Sequence, residues 1–337
     1  MSENKITFAI IGCGAIAMRH AEHISRMGTL VSVCDVKEER ADDFAKKFNT
    51  KAYYSLEELF AAKVQADVVA ICSPNGLHAE HAIKALRTAH HVICEKPMAL
   101  TVRDCERMIM EAEKAGKKLF IVKQNRFNPP IALTKQLLDE NKLGKILSVQ
   151  VSCFWNRNED YYKKSDWRGT KHLDGGVLYT QFSHFIDLLY WMFGDIKEVG
   201  AYVGNSNHSY IEIDDHGVVI FKFLSDVLGT LHYSINSHRK NMEGSLVIFG
   251  EKGTLKIGGE YLNVLEHASV EGYEVPHLPK GNTANDYGTY KGSMSNHDKI
   301  YENVIEVLRG NGAISTSGME GLKTVEIIAR IYDQARW

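Results

Sequence analysis

The chain has 337 residues, a formal net charge of −2, 44% apolar residues and 24% charged ones. That length holds two domains of ordinary size, and the composition is that of a globular protein in water. The near-neutral balance leaves no electrostatic case for nucleic acid or an anionic membrane as partner. The six cysteines (Cys13, Cys34, Cys72, Cys94, Cys105 and Cys153) include no C-x-x-C pair. Four lie in or beside apolar strand-like runs, as small buried hydrophobes do, so reduced thiols and a cytoplasmic location are expected. Met1-Ser2-Glu3-Asn4-Lys5 leads into a strand without a signal-type apolar stretch, and no run approaches membrane-spanning length. Fifteen histidines form no H-E-x-x-H or Cys/His ligand spacing. His20/His23, His78/His81 and His90/His91 lie on or beside predicted helices, and no metal is expected.

Residues 5–125 alternate between short β-branched runs and longer helical patterns. Strands are predicted over 6–11, 30–34, 68–72, 91–94 and 119–122, with helices over 15–27, 37–48, 56–62, 76–89 and 102–115. Such alternation means βαβ units and a parallel sheet. After Asn128-Pro129-Pro130 the texture changes. A helix near 131–141, a strand over 146–154 and an aromatic, charged loop over 155–175 precede an apolar helix over 177–193. Strands follow over 198–203, 217–223, 227–234, 244–249, 254–257 and 262–265, with no helices between them. A loop rich in Gly, Pro and Asn (271–293) leads to two final helices near 295–309 and 318–335. The expected fold is α/β: a dinucleotide-binding Rossmann domain over 1–125, then an α+β domain over 126–337 built on a large, mostly antiparallel open sheet. The last helices have the option of packing back on the first domain. An open sheet needs its second face covered, so a homodimer or homotetramer through that sheet is expected.

Gly12-Cys13-Gly14-Ala15-Ile16-Ala17 follows the first strand and opens a helix. Gly12 makes the tight turn, Gly14 lets the backbone approach a pyrophosphate, Ala15 and Ile16 begin the helix, and Ala17 permits close packing. Asp35 ends the second strand, where a carboxylate accepts hydrogen bonds from ribose hydroxyls and repels a 2′-phosphate; NAD is the expected cofactor. Ser73-Pro74-Asn75 and His78 leave the carboxyl edge of the same sheet and should line the cofactor crevice, although such residues also serve as helix caps. Val92-Ile93-Cys94-Glu95-Lys96-Pro97 brings a lysine to a strand end. Desolvation and a nicotinamide's charge would favour its neutral form and Glu95 its charged form, which makes Lys96 a candidate proton handler. Downstream, Thr180, Gln181 and His184 stand at i, i+1 and i+4 behind a Gly175-Gly176 entrance, on a helix whose Leu178, Phe182, Phe185, Leu188 and Leu189 mark an apolar face. A core histidine is the plain alternative for His184.

Together, Gly12–Ala17, Asp35, Ser73-Pro74, Glu95-Lys96-Pro97 and Asp174–His184 resemble the glucose–fructose oxidoreductase/inositol dehydrogenase (Gfo/Idh/MocA) family over nearly the whole chain. The resemblance implies that Lys96 and His184 flank the reacting carbinol. Many members carry an aspartate four residues before the histidine; here that residue is Thr180, which leaves His184 as the main acid/base candidate and Lys96 as the group that polarises the substrate oxygen. Lys123–Pro130, Trp167-Arg168-Gly169-Thr170 and Gly250–Thr254 more narrowly resemble bacterial UDP-N-acetyl-2-amino-2-deoxyglucuronate 3-dehydrogenases of surface polysaccharide synthesis. The implied substrate is a UDP-sugar oxidised at its 3-hydroxyl. A diphosphate needs cationic forks, and Arg126, Arg157, Lys163, Lys164, Arg168 and Lys171 crowd the segments expected to border the cleft. Trp155, Tyr161, Tyr162 and Trp167 offer faces for stacking. Gln124, Glu95 and Trp167-Arg168 are assigned to the cofactor, and Asn125, Arg126, Arg157, Tyr161, Thr180, Gln181 and His184 to the substrate. UDP-N-acetylglucosamine 3-dehydrogenases of lipid A synthesis, free-polyol dehydrogenases and a non-catalytic dinucleotide-binding regulator stay open as alternatives.

Overall fold

A computed structural model describes residues 5–288 and 290–336; the N-terminal reading above falls on residues 1–4, outside them. Contacts divide the chain into two units, 1–123 with 297–325, and 124–296 with 326–337.

The first unit runs β1 (Thr7–Ile11), α1 (Ala15–Met27), β2 (Thr29–Cys34), α2 (Glu38–Phe48), β3 (Lys51–Tyr53), α3 (Leu56–Ala61), β4 (Val68–Ile71), α4 (His78–Arg87), β5 (His91–Cys94), α5 (Val102–Ala115) and β6 (Leu119–Ile121). All six strands are parallel, in the order β3-β2-β1-β4-β5-β6. Helices on both faces bury the central strands completely, which is why Phe8, Ile10, Val68, Ile71, Val92 and Ile93 sit in nearly unbroken apolar runs. β3 escaped the sequence reading because three residues beginning with an exposed lysine carry no periodicity. The order reverses at β1, so the β1–α1 turn and the end of β4 flank a topological switch point. Local chemistry sets the helix ends: the Thr101 hydroxyl accepts the Asp104 N–H at the start of α5, and Gly116 closes it in the left-handed region (φ 62°).

The second unit contains α6 (Pro129–Asp139), β7 (Ile146–Phe154), α7 (Glu159–Lys163), α8 (Val177–Thr180), α9 (Ser183–Phe193), β8 (Ile196–Gly204), β9 (His216–Phe223), β10 (Leu228–Ser234), β11 (Glu243–Gly250), β12 (Gly253–Gly258), β13 (Val264–Val270), and the hairpin β14 (Ala284–Asp286) and β15 (Lys291–Met294). The chain closes with α10 (His297–Leu308), α11 (Gly318–Gln334) and β16 (Ala335–Arg336). The large sheet has eight strands, β13-β12-β11-β7-β10-β9-β8-β16. It is antiparallel except where β10 meets β7 and β16 meets β8. The helix expected over 177–193 is two helices, broken at Gln181-Phe182 where Phe182 (φ −114°, ψ 8°) leaves the helical region. The last strand of the meander starts at Val264, two residues later than expected.

Phe182, Phe185 and Phe193 cover one face of this sheet, their rings against Trp155, Tyr233 and Phe223. The opposite face mixes apolar side chains with polar ones, among them the exposed Gln150, Thr230 and His232. Tyr202, Val218 and Ile220 share it by register with Leu228 and Phe249, and all five are 43–65% exposed.

Candidate functional site

In the first unit the glycine turn has the geometry its residues require. Gly12 has φ +93°, and a Cβ there would lie 2.7 Å from the backbone of Cys72 and Ser73, so only glycine fits. A Cβ on Gly14 would meet nothing within 4 Å, so packing does not demand a glycine there; its absence of a side chain keeps the backbone approachable. Gly14 also caps α1 without a side-chain hydrogen bond, and no acidic residue stands in the first turn. The amides and dipole of α1 are therefore available to an anion. Ala15 is exposed and Ile16 half-buried beside them, while Ala17 is fully buried against the sheet. The Asp35 carboxylate accepts the Cys13 N–H and the Lys37 N–H, each at 2.8 Å, and so braces the turn from the end of β2. These features fit a dinucleotide.

The loop after β4 and the Lys96 turn are tied together by His78. Its Nδ1 lies 2.7 Å from the Pro97 carbonyl and its Nε2 2.9 Å from that of Ser73. Burial lowers its tendency to protonate, so one nitrogen donates at a time. The sequence reading puts His78 at the cofactor; with both nitrogens on loop carbonyls and the ring 1% exposed, its direct contacts are to the loops themselves. Asn75 is buried and Ser73 half-buried in that loop. Lys96 is half-buried at the strand end, ahead of a cis bond to Pro97. Glu95, which the sequence assigns to the cofactor, is 5% exposed. Its side chain is buried against His20 and His297. Burial alone would push this carboxyl up, but the two imidazoles hold it well below the usual carboxylate range.

In the second unit Gln124, Asn125 and Arg126 occupy a buried single turn, 124–127. Both polar side-chain atoms of Asn125, and Oε1 of Gln124, are buried without a hydrogen-bond partner among the described residues. Orphaned buried amides are a mark of a ligand position. Arg126 forms a two-point pair with Asp187, Nε to Oδ2 at 2.8 Å and Nη2 to Oδ1 at 2.7 Å. Its charge is thus matched inside the unit, and Lys163 is likewise paired with Glu159. Arg157 differs. It is 1% exposed, donates to Gln181 Oε1 (2.6 Å), the Asn156 carbonyl (2.6 Å) and Asn241 Oδ1 (3.2 Å), and stacks on Trp155, Tyr161 and Tyr290. Arg168 donates to the Tyr161 carbonyl and the Tyr290 hydroxyl and lies 4.2 Å over the Tyr161 ring. Two guanidiniums thus share the faces of Tyr161 and Tyr290, and among the described residues no carboxylate forms an ion pair with either. Trp155 is a core residue, 2% exposed with Nε1 donating to the Glu260 carbonyl, so its ring is taken up by Arg157 and the core and has no exposed face for a sugar or base. Trp167 is half-exposed.

The polar cluster expected at 180, 181 and 184 is divided by the break before α9. The Thr180 hydroxyl donates to a carboxylate oxygen of Asp174, whose other oxygen accepts the Gly169 N–H at 2.9 Å. Burial pushes the Asp174 carboxyl up to about 6, against the pull of these donors. Gln181 links Arg157 to the Tyr161 hydroxyl. His184 is buried in the first turn of α9.

Residues 6–123 match the oxidoreductase family with an NAD-binding Rossmann fold, and residues 131–256 match the GFO/IDH/MocA C-terminal domain. The chain belongs to the GFO/IDH/MocA oxidoreductase family. Residues 6–123 of its first unit are that family's NAD-binding domain. Among solved structures, the chain is 33% identical to the WlbA dehydrogenase of Chromobacterium violaceum, crystallised with NADH and UDP-GlcNAcA, at a TM-score of 0.88 over 99% of this chain and 94% of that one. The Bordetella pertussis WlbA, with the same two ligands, is 32% identical at 0.88, over 98% and 96%. Sequence relatives within the family are diverse. A 2,7-anhydro-N-acetylneuraminate hydratase of Escherichia coli is 28% identical over 79% of this chain and 74% of its own length. A glucose-6-phosphate 3-dehydrogenase of Bacillus subtilis is 33% identical, over 55% of this chain and 53% of its own. No helix among the described residues is long and apolar enough to cross a membrane.

Asp174, Asp187, Asn241, Tyr290, His20 and His297 complete these arrangements and were not found from sequence. Asp174 opens the Asp174–His184 motif and Asp187 follows it by three residues, which is a usable signal; Asn241, Tyr290 and His297 arrive from remote segments with no spacing to announce them.

Proposed function

We propose that this oxidoreductase oxidises the 3-hydroxyl of a UDP-N-acetylamino sugar, of the UDP-N-acetylglucosaminuronate type, to the 3-ketone. The observation that carries this reading is the near-full-length similarity to two dehydrogenases crystallised with NADH and UDP-GlcNAcA. NAD, when bound, supplies the hydride acceptor. His184 takes the hydroxyl proton as the carbon–hydrogen bond gives up its hydride, and Lys96 stabilises the charge that develops on the oxygen, an effect worth several kcal/mol where water is excluded. The orphaned Asn125 amide and the Arg157/Arg168 pair over Tyr161 and Tyr290 are the polar and cationic groups this reading assigns to the substrate and the cofactor. The family's range of reactions means that the site, and not the fold, must justify the substrate.

A second copy of the chain on the open sheet face, giving a homodimer or homotetramer, belongs to the same reading. So does a reducing, cytoplasmic setting, which suits six buried unpaired thiols. The test is NADH formation with UDP-GlcNAcA, UDP-GlcNAc, glucose 6-phosphate and myo-inositol in parallel. Turnover with either unphosphorylated or monophosphorylated sugar, and none with a UDP-sugar, would reject the proposal. Glucose 6-phosphate is included because one relative acts on it and because Arg126 and Lys163 have carboxylate partners of their own.

A further inference from the structure

The Glu95 carboxylate is where three segments of the first unit meet. Its Oε1 lies 2.8 Å from His20 Nε2 and 3.3 Å from His297 Nε2, and its Oε2 accepts the Lys96 backbone N–H at 3.1 Å. His20 Nδ1 lies 2.7 Å from the Tyr301 hydroxyl. An ionised carboxylate only accepts, so His20 Nε2 carries the proton, Nδ1 is the acceptor and Tyr301 donates to it. Glu95 is 5% exposed, and His20, His297 and Tyr301 are fully buried. Burial keeps His20 from protonating despite the carboxylate beside it. Each group in this chain of hydrogen bonds has one permitted orientation.

The places these residues occupy give the network its meaning. His20 lies in the second turn of α1, the helix whose N-terminus is the phosphate turn. Glu95 immediately precedes Lys96 at the end of β5, and His297 and Tyr301 lie in the first turns of α10. The three ligand-type atoms lie within 4.8 Å of one another, which raises the alternative of a metal. Three donors fall short of a closed structural zinc site, and the 2.8 Å His20–Glu95 contact is already a satisfied hydrogen bond.

We propose that His20, Glu95 and His297 are positioning residues that fasten the Lys96 turn to the dinucleotide-binding helix, so that occupancy of α1 and presentation of Lys96 are mechanically coupled. This rests on the reading of Lys96 as the group acting on the substrate oxygen. Outer partners of this kind typically matter by about 10–100-fold, because an error of about 1 Å in a reacting group costs that much.

The test uses the full chain with His20→Phe, His20→Gln (whose amide keeps a donor for Glu95) and Lys96→Met. Two readouts apply: turnover with the UDP-sugar, and the rate at which acetic anhydride labels Lys96, followed by mass spectrometry without any reaction. Expected are a fall in kcat of about 10–100-fold in folded His20→Phe, near-recovery in His20→Gln, and altered Lys96 labelling in the first only. ADP-ribose, which has the phosphates but no nicotinamide, should change Lys96 labelling in the wild type and not in His20→Phe. Wild-type labelling and kcat in folded His20→Phe would overturn the proposal, as would stoichiometric zinc whose chelation abolishes activity. Should His20→Phe not fold, Tyr301→Phe, which deletes one oxygen, is judged by the same readouts. Full turnover by Lys96→Met would instead remove the role given to Lys96, while the labelling result still decides whether the network holds that turn.

Discussion

Arg126 and Asp187 form a buried two-point ion pair, with the guanidinium also 4.8 Å over the Trp191 ring. The pair is 2–3% exposed, so each charge depends on the other for solvation. Removing one partner strands the other in low dielectric, a cost of about 3–5 kcal/mol. Arg126→Met and Asp187→Asn should each lower stability to urea or heat by that order, and an apolar replacement of both should recover a large part. The sequence reading assigns Arg126 to the substrate. A rise in KM for the UDP-sugar at unchanged stability in Arg126→Met would show that the arginine serves the ligand and not the fold.

Asp35 offers a prediction about the cofactor. Its two oxygens hold the Cys13 and Lys37 amides, and each keeps acceptor capacity for a further donor. Asp35→Ser should weaken NAD binding by about 10–100-fold, the worth of charge-assisted hydrogen bonds, and should let NADP turn over by removing the repulsion of its 2′-phosphate. Steady-state kinetics with both cofactors checks this; unchanged discrimination would show that another group selects NAD.

The parts legible in the sequence were those with short-range rules. The glycine turn, Asp35 and the Glu95-Lys96-Pro97 strand end follow from βαβ periodicity, and the structure shows the requirement for glycine at Gly12. What the sequence hid was the far partner of each charge. Arg126 reads as a free cation until Asp187, sixty-one residues away, is folded onto it. Glu95 is assigned to the cofactor from its place beside Lys96, whereas its side chain meets buried imidazoles from α1 and α10. The broken helix at Gln181-Phe182 is invisible in the sequence because its apolar spacing is continuous; at the break Thr180 bonds Asp174 and Gln181 bonds Tyr161.

Asp174 gives a pH dependence with a definite sign. Its carboxyl is raised from an ordinary 3.8 to about 6 by burial, so the folded state prefers it protonated. Its stabilising contribution is therefore full below pH about 4 and is lost as pH rises through about 6, with an upper bound of about 3 kcal/mol. Glu95 and Asp215 shift in the opposite direction and Asp214 in the same one, so the quantity to measure is the difference between wild type and Asp174→Asn. In urea titrations that difference should move against the wild type between pH of about 4 and 7. Thr180→Val, which removes a donor to the ionised form, should steepen the loss. A difference independent of pH would mean that Asp174 does not titrate in this range.

The open face of the eight-stranded sheet carries the prediction about assembly. Tyr202, Val218, Ile220 and Leu228 lie on the adjacent strands β8, β9 and β10 and share one face by register, which Phe249 of β11 joins across Ser148 of β7. Five large apolar side chains exposed on one sheet face are costly in water, and such a face is ordinarily covered. A second copy placed on it face to face would bury the same residues twice under a two-fold axis. Ile220 is central to the patch and 60% exposed, so Ile220→Asp cannot disturb the core but would desolvate two carboxylates at such an interface. Light scattering after gel filtration should show an oligomer for the wild type and a smaller, folded species for Ile220→Asp. An unchanged mass would place the contact between copies elsewhere on the chain.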